Sequence, residues 1–301
     1  MASKITLGIA RKLLPQRPPD AHKGTFGHVF VVAGSRGFTG AVKMCCDAAM
    51  RSGAGLVTAG IPAPIGDAIG AALYEPMSLL LPATEQESLS RDALGPALEF
   101  AEDKDAVVLG PGLSRNPQTQ EFVLEFVRLV RAPMLIDADA LNALSGRPEV
   151  LLECAGPRVL TPHPGEMGRL VGMNASEVAA GRESVAFEFA ARYSCVLVLK
   201  GRNTLVAGPG RGKSVRGPYV NTTGNSGLAS GGTGDVLSGL IGGLMAQGMD
   251  PLDASLLGVY AHGLAGDLAA AAKTGRGMIA SDVINALPDA WRLLEQDTPT
   301  P

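Results

Sequence analysis

Aromatic residues make up only 4% of this 301-residue chain, with a single Trp, and charged residues only 18%. The 26 Lys and Arg are offset by 29 Asp and Glu, so the net charge is −3, with an isoelectric point of about 5.9. A basic stripe is lacking, which argues against a nucleic-acid partner or an anionic membrane surface. The four cysteines, Cys45, Cys46, Cys154 and Cys195, form no Cys-x-x-Cys pair. Adjacent Cys45 and Cys46 are poorly placed for a disulfide, so reduced, mostly buried thiols and a cytoplasmic location are expected. A His/Cys constellation for zinc and a Gly-x-Ser-x-Gly nucleophile elbow are both missing. Residues Met1 to Arg11 lack the apolar stretch of a signal peptide. No run of about 18 apolar residues predicts a membrane span.

What the chain has in excess is glycine. Thirty-nine Gly is well above the usual share of about 7%, without a collagen-like period. Such density implies tight strand-to-helix turns and backbone that a ligand approaches closely. With 46% hydrophobic residues the chain is globular. Its length is enough to bury most of its unfolded surface without a metal or disulfide staple. No Pro/Ser-rich linker and no internal repeat is found, so one domain over 1–301 is expected, with an ordered core of about 13–295 and a frayed tail from Gln296 to Pro301.

The rhythm is strand, glycine turn, helix. Phe26 to Ala33, Leu56 to Ile61, Ser78 to Leu81, Ala106 to Leu109, Met134 to Ile136, Arg158 to Leu160 and Val196 to Leu199 read as strands. Gly40 to Ser52, Leu94 to Glu102, Thr119 to Val130 and Ser176 to Tyr193 read as helices between them. Alternation of this kind predicts a mainly parallel sheet covered on both faces, with chemistry at the carboxyl ends of the strands. After residue 204 come short antiparallel strands at Thr204 to Ala207, Lys213 to Arg216 and Tyr219 to Asn221. Helices then follow at Gly234 to Gln247, Asp253 to Lys273 and Ser281 to Glu295.

The segment from Asn221 to Asp235 is nearly all small or polar residues and opens a helix. Unpaired amides and a positive dipole end make a helix start an anion site, and Gly231, Gly232 and Gly234 leave those amides accessible. Asp235 at that start is either a first-turn capping residue or a base that deprotonates a hydroxyl attacking a phosphoryl group, kept ionised by the helix end. A decoy lies nearby: Ala207, Gly212, Lys213 and Ser214 come within one glycine of a P-loop. A P-loop opens a helix, which Gly217 and Pro218 forbid here. The dinucleotide fingerprint is also absent, since Gly34, Gly37 and Gly40 are spaced by threes.

Six segments, in order, resemble the ADP-dependent NAD(P)H-hydrate dehydratases of the ribokinase-like superfamily. They are His22-Lys23-Gly24 running through Gly27-His28 to Gly34-Ser35-Arg36-Gly37-Phe38-Thr39-Gly40-Ala41; Gly110-Pro111-Gly112-Leu113; Asp137-Ala138-Asp139-Ala140-Leu141-Asn142; Thr161-Pro162-His163-Pro164-Gly165-Glu166; Lys200-Gly201-Arg202-Asn203-Thr204; and Gly224 to Asp235. The resemblance implies a three-layer α/β/α sandwich. It also implies a hydro-lyase that restores the S-epimer of hydrated NADH or NADPH: ADP or ATP phosphorylates the added hydroxyl, and phosphate is then lost. Substrate contacts would fall on Ala41, Gly112, His163 and Asp235, with Asp235 catalytic. Nucleotide contacts would fall on Lys200, Gly201, Arg202, Asn203, Thr204 and Gly234. Mg²⁺ is the implied ion, with Glu166, Asp137 and Asp139 as candidate ligands, since hard oxygen donors suit it. A homotetramer is likewise implied.

Each placement has a plainer alternative. Lys200 ends a buried strand and either meets a phosphate or snorkels to solvent. Ala41 and Gly112 are otherwise turn residues, His163 a satisfied structural histidine, Glu166 a helix cap. His262 reads as a packing or interface residue. Many family members carry an epimerase domain first; about a dozen residues before Leu13 leave no room for one, so a separate epimerase is expected. The rival reading in the same fold is a kinase of a vitamin precursor such as a hydroxymethylpyrimidine or hydroxyethylthiazole. Those relatives share the Gly-Thr-Gly-Asp ending but not His163-Pro164-Gly165-Glu166 together with Lys200 to Thr204.

Overall fold

In the computed structural model, which describes residues 2–210 and 214–296, ten strands form one sheet. They are β1 (Ser3–Lys4), β2 (His28–Val32), β3 (Leu56–Pro62), β4 (Met77–Leu81), β5 (Ala106–Leu109), β6 (Met134–Ile136), β7 (Arg158–Leu160), β8 (Val196–Leu199), β9 (Thr204–Pro209) and β10 (Val215–Asn221). Their order across the sheet is β1-β10-β9-β8-β7-β6-β5-β2-β3-β4. All neighbours run parallel except that β9 is antiparallel to both β8 and β10.

Alternation along the strands builds two cores. Val29 and Val31 of β2, Ala106 and Val108 of β5, and Val196 and Val198 of β8 pack into one. Phe30 and Val32, Val107 and Leu109, and Leu197 and Leu199 point to the other. The first core is closed by the helices Thr39–Arg51, Thr233–Ala246, Pro251–Lys273 and Ala280–Glu295. The second lies under Pro117–Leu129, Pro164–Val171 and Arg182–Tyr193. This is a ribokinase-like α/β/α arrangement, and strands buried on both faces need continuous apolar runs.

The chain winds outward from β2 through β3 to β4, then returns to pair β5 beside β2 and continues through β6, β7 and β8. The β2/β5 pair is therefore the topological switch point, where a crevice opens at the carboxyl ends. Gly34 donates its amide to Pro111 O at 2.8 Å and Ser35 Oγ donates to Gly112 O at 2.8 Å, so the two turns are clasped across it.

Four local expectations change. The helix read from Ser176 to Tyr193 is two helices, Ala175–Ala180 and Arg182–Tyr193, separated at Gly181, a poor helix residue. The strands read at Lys213 to Arg216 and Tyr219 to Asn221 are one strand, Val215–Asn221, with a register shift between Arg216 and Tyr219. Lys213 itself, with Gly212 of the P-loop decoy, lies outside the described residues, as does the tail beyond Gln296. The two-residue β1 was too short to show a pattern. The helices Ala138–Ala143 and Pro164–Val171 follow strand ends for which the sequence reading gives no helix range, although it weighs Glu166 as a helix cap. No helix among the described residues is long and apolar enough to cross a membrane.

Candidate functional site

The helix Thr233–Ala246 sets the centre of the site. Gly232, its N-cap, has φ +91°, and a β-carbon there would lie 2.4 Å from Met44 Sδ and 3.1 Å from Ala280 Cβ. Only glycine fits. Val236 is the first amide of this helix taken by a backbone carbonyl, that of Gly232 at 3.1 Å. The amides of Thr233, Gly234 and Asp235 precede it, so the helix start keeps its anion-binding character. Thr233 Oγ1 donates to Leu228 O at 2.7 Å, and His262 Nε2–H donates to Thr233 O at 3.0 Å. His262 is thus a buried brace of the first turn; burial pushes its pKa down to about 4, and it is neutral.

Lys200 does not snorkel. Its side chain turns inward at the end of β8, where Nζ lies 2.7 Å from Asp137 Oδ1 and 4.0 Å from Glu166 Oε2. Asp137, only 1% exposed, also accepts from Ser238 Oγ at 2.7 Å. Burial alone would lower the Lys200 pKa, but Asp137 and Glu166 outweigh it and the net direction is up. A fixed ammonium therefore stands beside the helix start: a β-carbon built on Gly234 would lie 3.5 Å from Lys200 Nζ and 3.8 Å from Asp137 Oδ2.

Asp235 does not cap its helix, and its carboxyl makes no hydrogen bond among the described residues. Its pKa is pushed up to about 7, first by burial and then by the negative charge of Asp137, with Lys200 pulling the other way. The expectation that the helix end keeps it ionised is corrected here: desolvation and neighbouring carboxylates exceed a helix-terminus effect of typically 0.3–1 kcal/mol. A carboxyl poised near neutrality is suited to taking a proton.

His163 is the N-cap of Pro164–Val171. Its Nδ1 accepts from the amides of Gly165 at 3.0 Å and Glu166 at 3.3 Å. Those bonds leave Nε2 to carry the proton in the neutral ring, and the pKa is lowered by burial and by Lys200. The side chain, half exposed, therefore offers an N–H donor. Glu166 Oε2 accepts from the His163 amide at 2.9 Å, closing the capping box, and burial raises its pKa. Asp139 is held elsewhere, by the Ser114 amide at 3.0 Å and Asn142 Nδ2 at 3.2 Å. Gly112 has φ +65°, and a β-carbon there would come 2.7 Å from Phe38 Cβ and 3.3 Å from Ala41 Cβ. Ala41 and Gly112 thus face each other at the switch point, with Phe38, 56% exposed, at their edge.

A cavity of about 650 Å³ opens beside the helix start. Lys200, Gly201, Arg202, Asn203, Thr204 and Gly234 all line it, together with His262 and the Asn221–Ser226 segment. Ala41, Gly112, His163 and Asp235 lie outside this lining. The site thus has two parts, the cavity and the facing Ala41 and Gly112 at the switch point, with Lys200 and Gly234 in the cavity lining and Asp235 following Gly234. Ser238 and Arg182, which no sequence motif marked, also belong to it; Ser238 lies one helical turn beyond Asp235, a spacing that offered a weak signal.

Residues 29–289 match the family described as NAD(P)H-hydrate dehydratase. The chain belongs to that family. It is 44% identical, over 98% of its length, to a bifunctional NAD(P)H-hydrate repair enzyme of Moorella thermoacetica, but covers only 55% of that protein. The chain thus spans about half the length of the bifunctional relatives it matches. To an ADP-dependent (S)-NAD(P)H-hydrate dehydratase of Bacillus subtilis it is 33% identical, covering 95% of this chain and 96% of that one. A crystal structure of the ADP/ATP-dependent NAD(P)H-hydrate dehydratase of B. subtilis, co-crystallised with ATP and Mg²⁺, superimposes with a TM-score of 0.81 at 32% identity, covering 98% of this chain and 99% of that one.

Proposed function

We propose that this chain is an ADP-dependent dehydratase acting on the S-epimer of hydrated NADH and NADPH. The observation that carries the reading is the helix start: Gly234 lines the chamber beside Lys200, and the residue after it, Asp235, has a carboxyl whose pKa burial and Asp137 push up to about 7. The nucleotide lies in the chamber along Lys200 to Thr204, its terminal phosphate at the Gly234 amide and Lys200 Nζ. The hydrated nicotinamide lies in the crevice against Ala41 and Gly112, with His163 Nε2–H as a donor. Asp235 removes the proton of the added hydroxyl; its oxygen attacks the terminal phosphorus and the bond to the leaving AMP breaks. The phosphorylated adduct then loses phosphate, which departs with the C–O electron pair, as the neighbouring carbon gives up a proton and the ring double bond returns. The fixed ammonium and the helix amides stabilise charge that grows on phosphoryl oxygens.

Among the described residues no three His, Cys, Asp or Glu side chains gather as a metal cage. That fits Mg²⁺, which binds through one or two carboxylates, phosphates and water. Asp137 and Glu166, on either side of Lys200, are the carboxylates we assign to it; Asp139 is drawn away toward Ser114. When bound, the ion neutralises phosphate oxygens.

The test is return of the near-ultraviolet absorbance of reduced nicotinamide on mixing purified protein with hydrated NADH and ADP. Turnover without any nucleotide ends the coupled mechanism. Phosphorylation of a thiazole or pyrimidine alcohol instead of the hydrated coenzyme favours the kinase reading. We further propose a cytoplasmic homotetramer that works together with an epimerase activity; sedimentation reads the assembly state.

Gly234→Ala offers a sharp separation of folding from binding. Its β-carbon meets nothing closer than 3.5 Å, and Ala is favoured over Gly in a helix by up to about 1 kcal/mol. The variant is expected to melt no lower than wild type, yet its methyl sits between Lys200 and the arriving phosphate. A rise of about tenfold or more in the KM for ADP is expected; an unchanged KM removes the phosphate from this helix start.

A further inference from the structure

The hairpin Lys200–Asn203 joins β8 to β9, and Arg182 grips it from outside the chamber. Arg182 Nη1 donates to Arg202 O at 2.6 Å, and Nη2 donates to Leu199 O at 3.0 Å and Lys200 O at 3.4 Å. Three carbonyls, that of the last β8 residue and two of the loop after it, therefore converge on a single guanidinium. No carboxylate pairs with Arg182 among the described residues. It also stands at the first position of the helix Arg182–Tyr193, where a helix dipole disfavours a cation. Burial lowers its pKa, and its Nε is buried without a partner. Partial burial, the helix dipole and the unpartnered Nε each oppose what its three hydrogen bonds contribute.

The consequence lies in the peptide units. In a trans peptide the N–H points opposite to its C=O. Turning Lys200 O and Arg202 O toward the guanidinium turns the amides of Gly201 and Asn203 away from it. Both residues line the chamber, whereas Arg182 does not. Among the described residues neither amide has a hydrogen-bond acceptor. Gly201 has φ +133° and Asn203 φ +57°, so the loop is a tight turn with left-handed backbone at Asn203.

We propose that Arg182 is a positioning residue that sets the polarity of this loop, holding its carbonyls outward so that the Gly201 and Asn203 amides receive nucleotide phosphate oxygens. The proposal rests on the nucleotide reading of the chamber and adds to it a residue that never touches the ligand.

Steady-state kinetics on Arg182→Met test it. The KM for ADP should rise at least tenfold while the KM for the hydrated dinucleotide stays within about twofold. Arg182→Lys, which reaches fewer carbonyls, should fall between, and added methylguanidinium should restore part of the ADP affinity of Arg182→Met. An unchanged KM for ADP, or equal rises in both KM values, overturns the proposal. A second measurement needs no variant: in ¹⁵N-labelled wild-type protein, ADP should shift the Gly201 and Asn203 amide signals and slow their exchange with solvent. ADP binding that leaves both amides unmoved overturns this proposal alone. Wild-type protein that binds neither ADP nor ATP overturns the nucleotide reading and this proposal with it.

Discussion

Asp235→Asn is expected to lower kcat by about 10²–10⁴, the usual contribution of a positioned base, and to raise the melting temperature at pH 8. The two effects have one cause. The Asp235 carboxyl titrates near 7 in the fold and near 3.9 in an unfolded chain. Between those values the folded state holds a proton that the unfolded state has released. The free energy of unfolding therefore falls as pH rises from about 4 to about 7 and stays lowered above. Asparagine has no such charge to desolvate, so the variant gains on the order of a few kcal/mol at pH 8 and little at pH 4. The same carboxyl makes kcat/KM of the wild-type enzyme climb with pH through about 7, whereas the variant's residual activity is flat there. Calorimetry at the two pH values, beside the absorbance assay, measures both. Near wild-type turnover in the variant removes Asp235 from the chemistry. A melting temperature that drops equally at pH 4 and pH 8 shows that the carboxyl is not strained by its surroundings.

The sequence displayed the parts of this site more clearly than their connections. Runs such as Val196 to Leu199 announced buried parallel strands because both faces of the sheet are covered, and those strands fix where Asp137, His163 and Lys200 emerge. The glycines before Asp235 marked a helix start open to an anion, since few other reasons place so many there. The pairing of Lys200 with Asp137 and Ser238 was hidden: 63 residues separate the first two and 101 separate Asp137 from Ser238, and no local pattern reports such a contact. The pKa of Asp235 was read in the wrong direction for the same reason. Helix-end stabilisation is visible in one dimension, but the approach of Asp137 and the loss of water require the fold. Arg182 looked like any charged residue inside the helix read from Ser176 to Tyr193, and only the carbonyls around it give it a role. The break at Gly181 was legible in principle, since glycine weakens a helix, yet the apolar period continues across it and masked the interruption.

Lys200→Met should be the most destabilising change in the site. It leaves Asp137, 1% exposed, with a single neutral donor in Ser238 Oγ. Removing one member of a buried ion pair costs about 3–5 kcal/mol, mainly because the other charge stays stranded. For a chain of this size that corresponds to a melting temperature lower by roughly 10 °C. Activity with ADP should be lost as well, because the ammonium that we propose meets the phosphate is gone. The double variant Lys200→Met/Asp137→Asn separates these two losses. With both charges removed, most of the stability should return, since a buried pair replaced by neutral groups is often close to neutral. Nucleotide affinity, titrated without Mg²⁺ so that loss of the Asp137 carboxylate does not enter through the ion, should not return, because the cation at the helix start is still missing. Thermal melts and ADP titrations of the two single variants and the double variant complete the cycle. If the double variant regains stability and ADP affinity together, Lys200 serves only to satisfy Asp137, and the phosphate must lie elsewhere. If Lys200→Met melts like wild type, the ion pair is not buried as described. The expected split, stability recovered and binding still lost, would identify Lys200 as a group whose cost in the empty fold is offset by Asp137 so that it stands ready, dehydrated and fixed, for an anionic ligand.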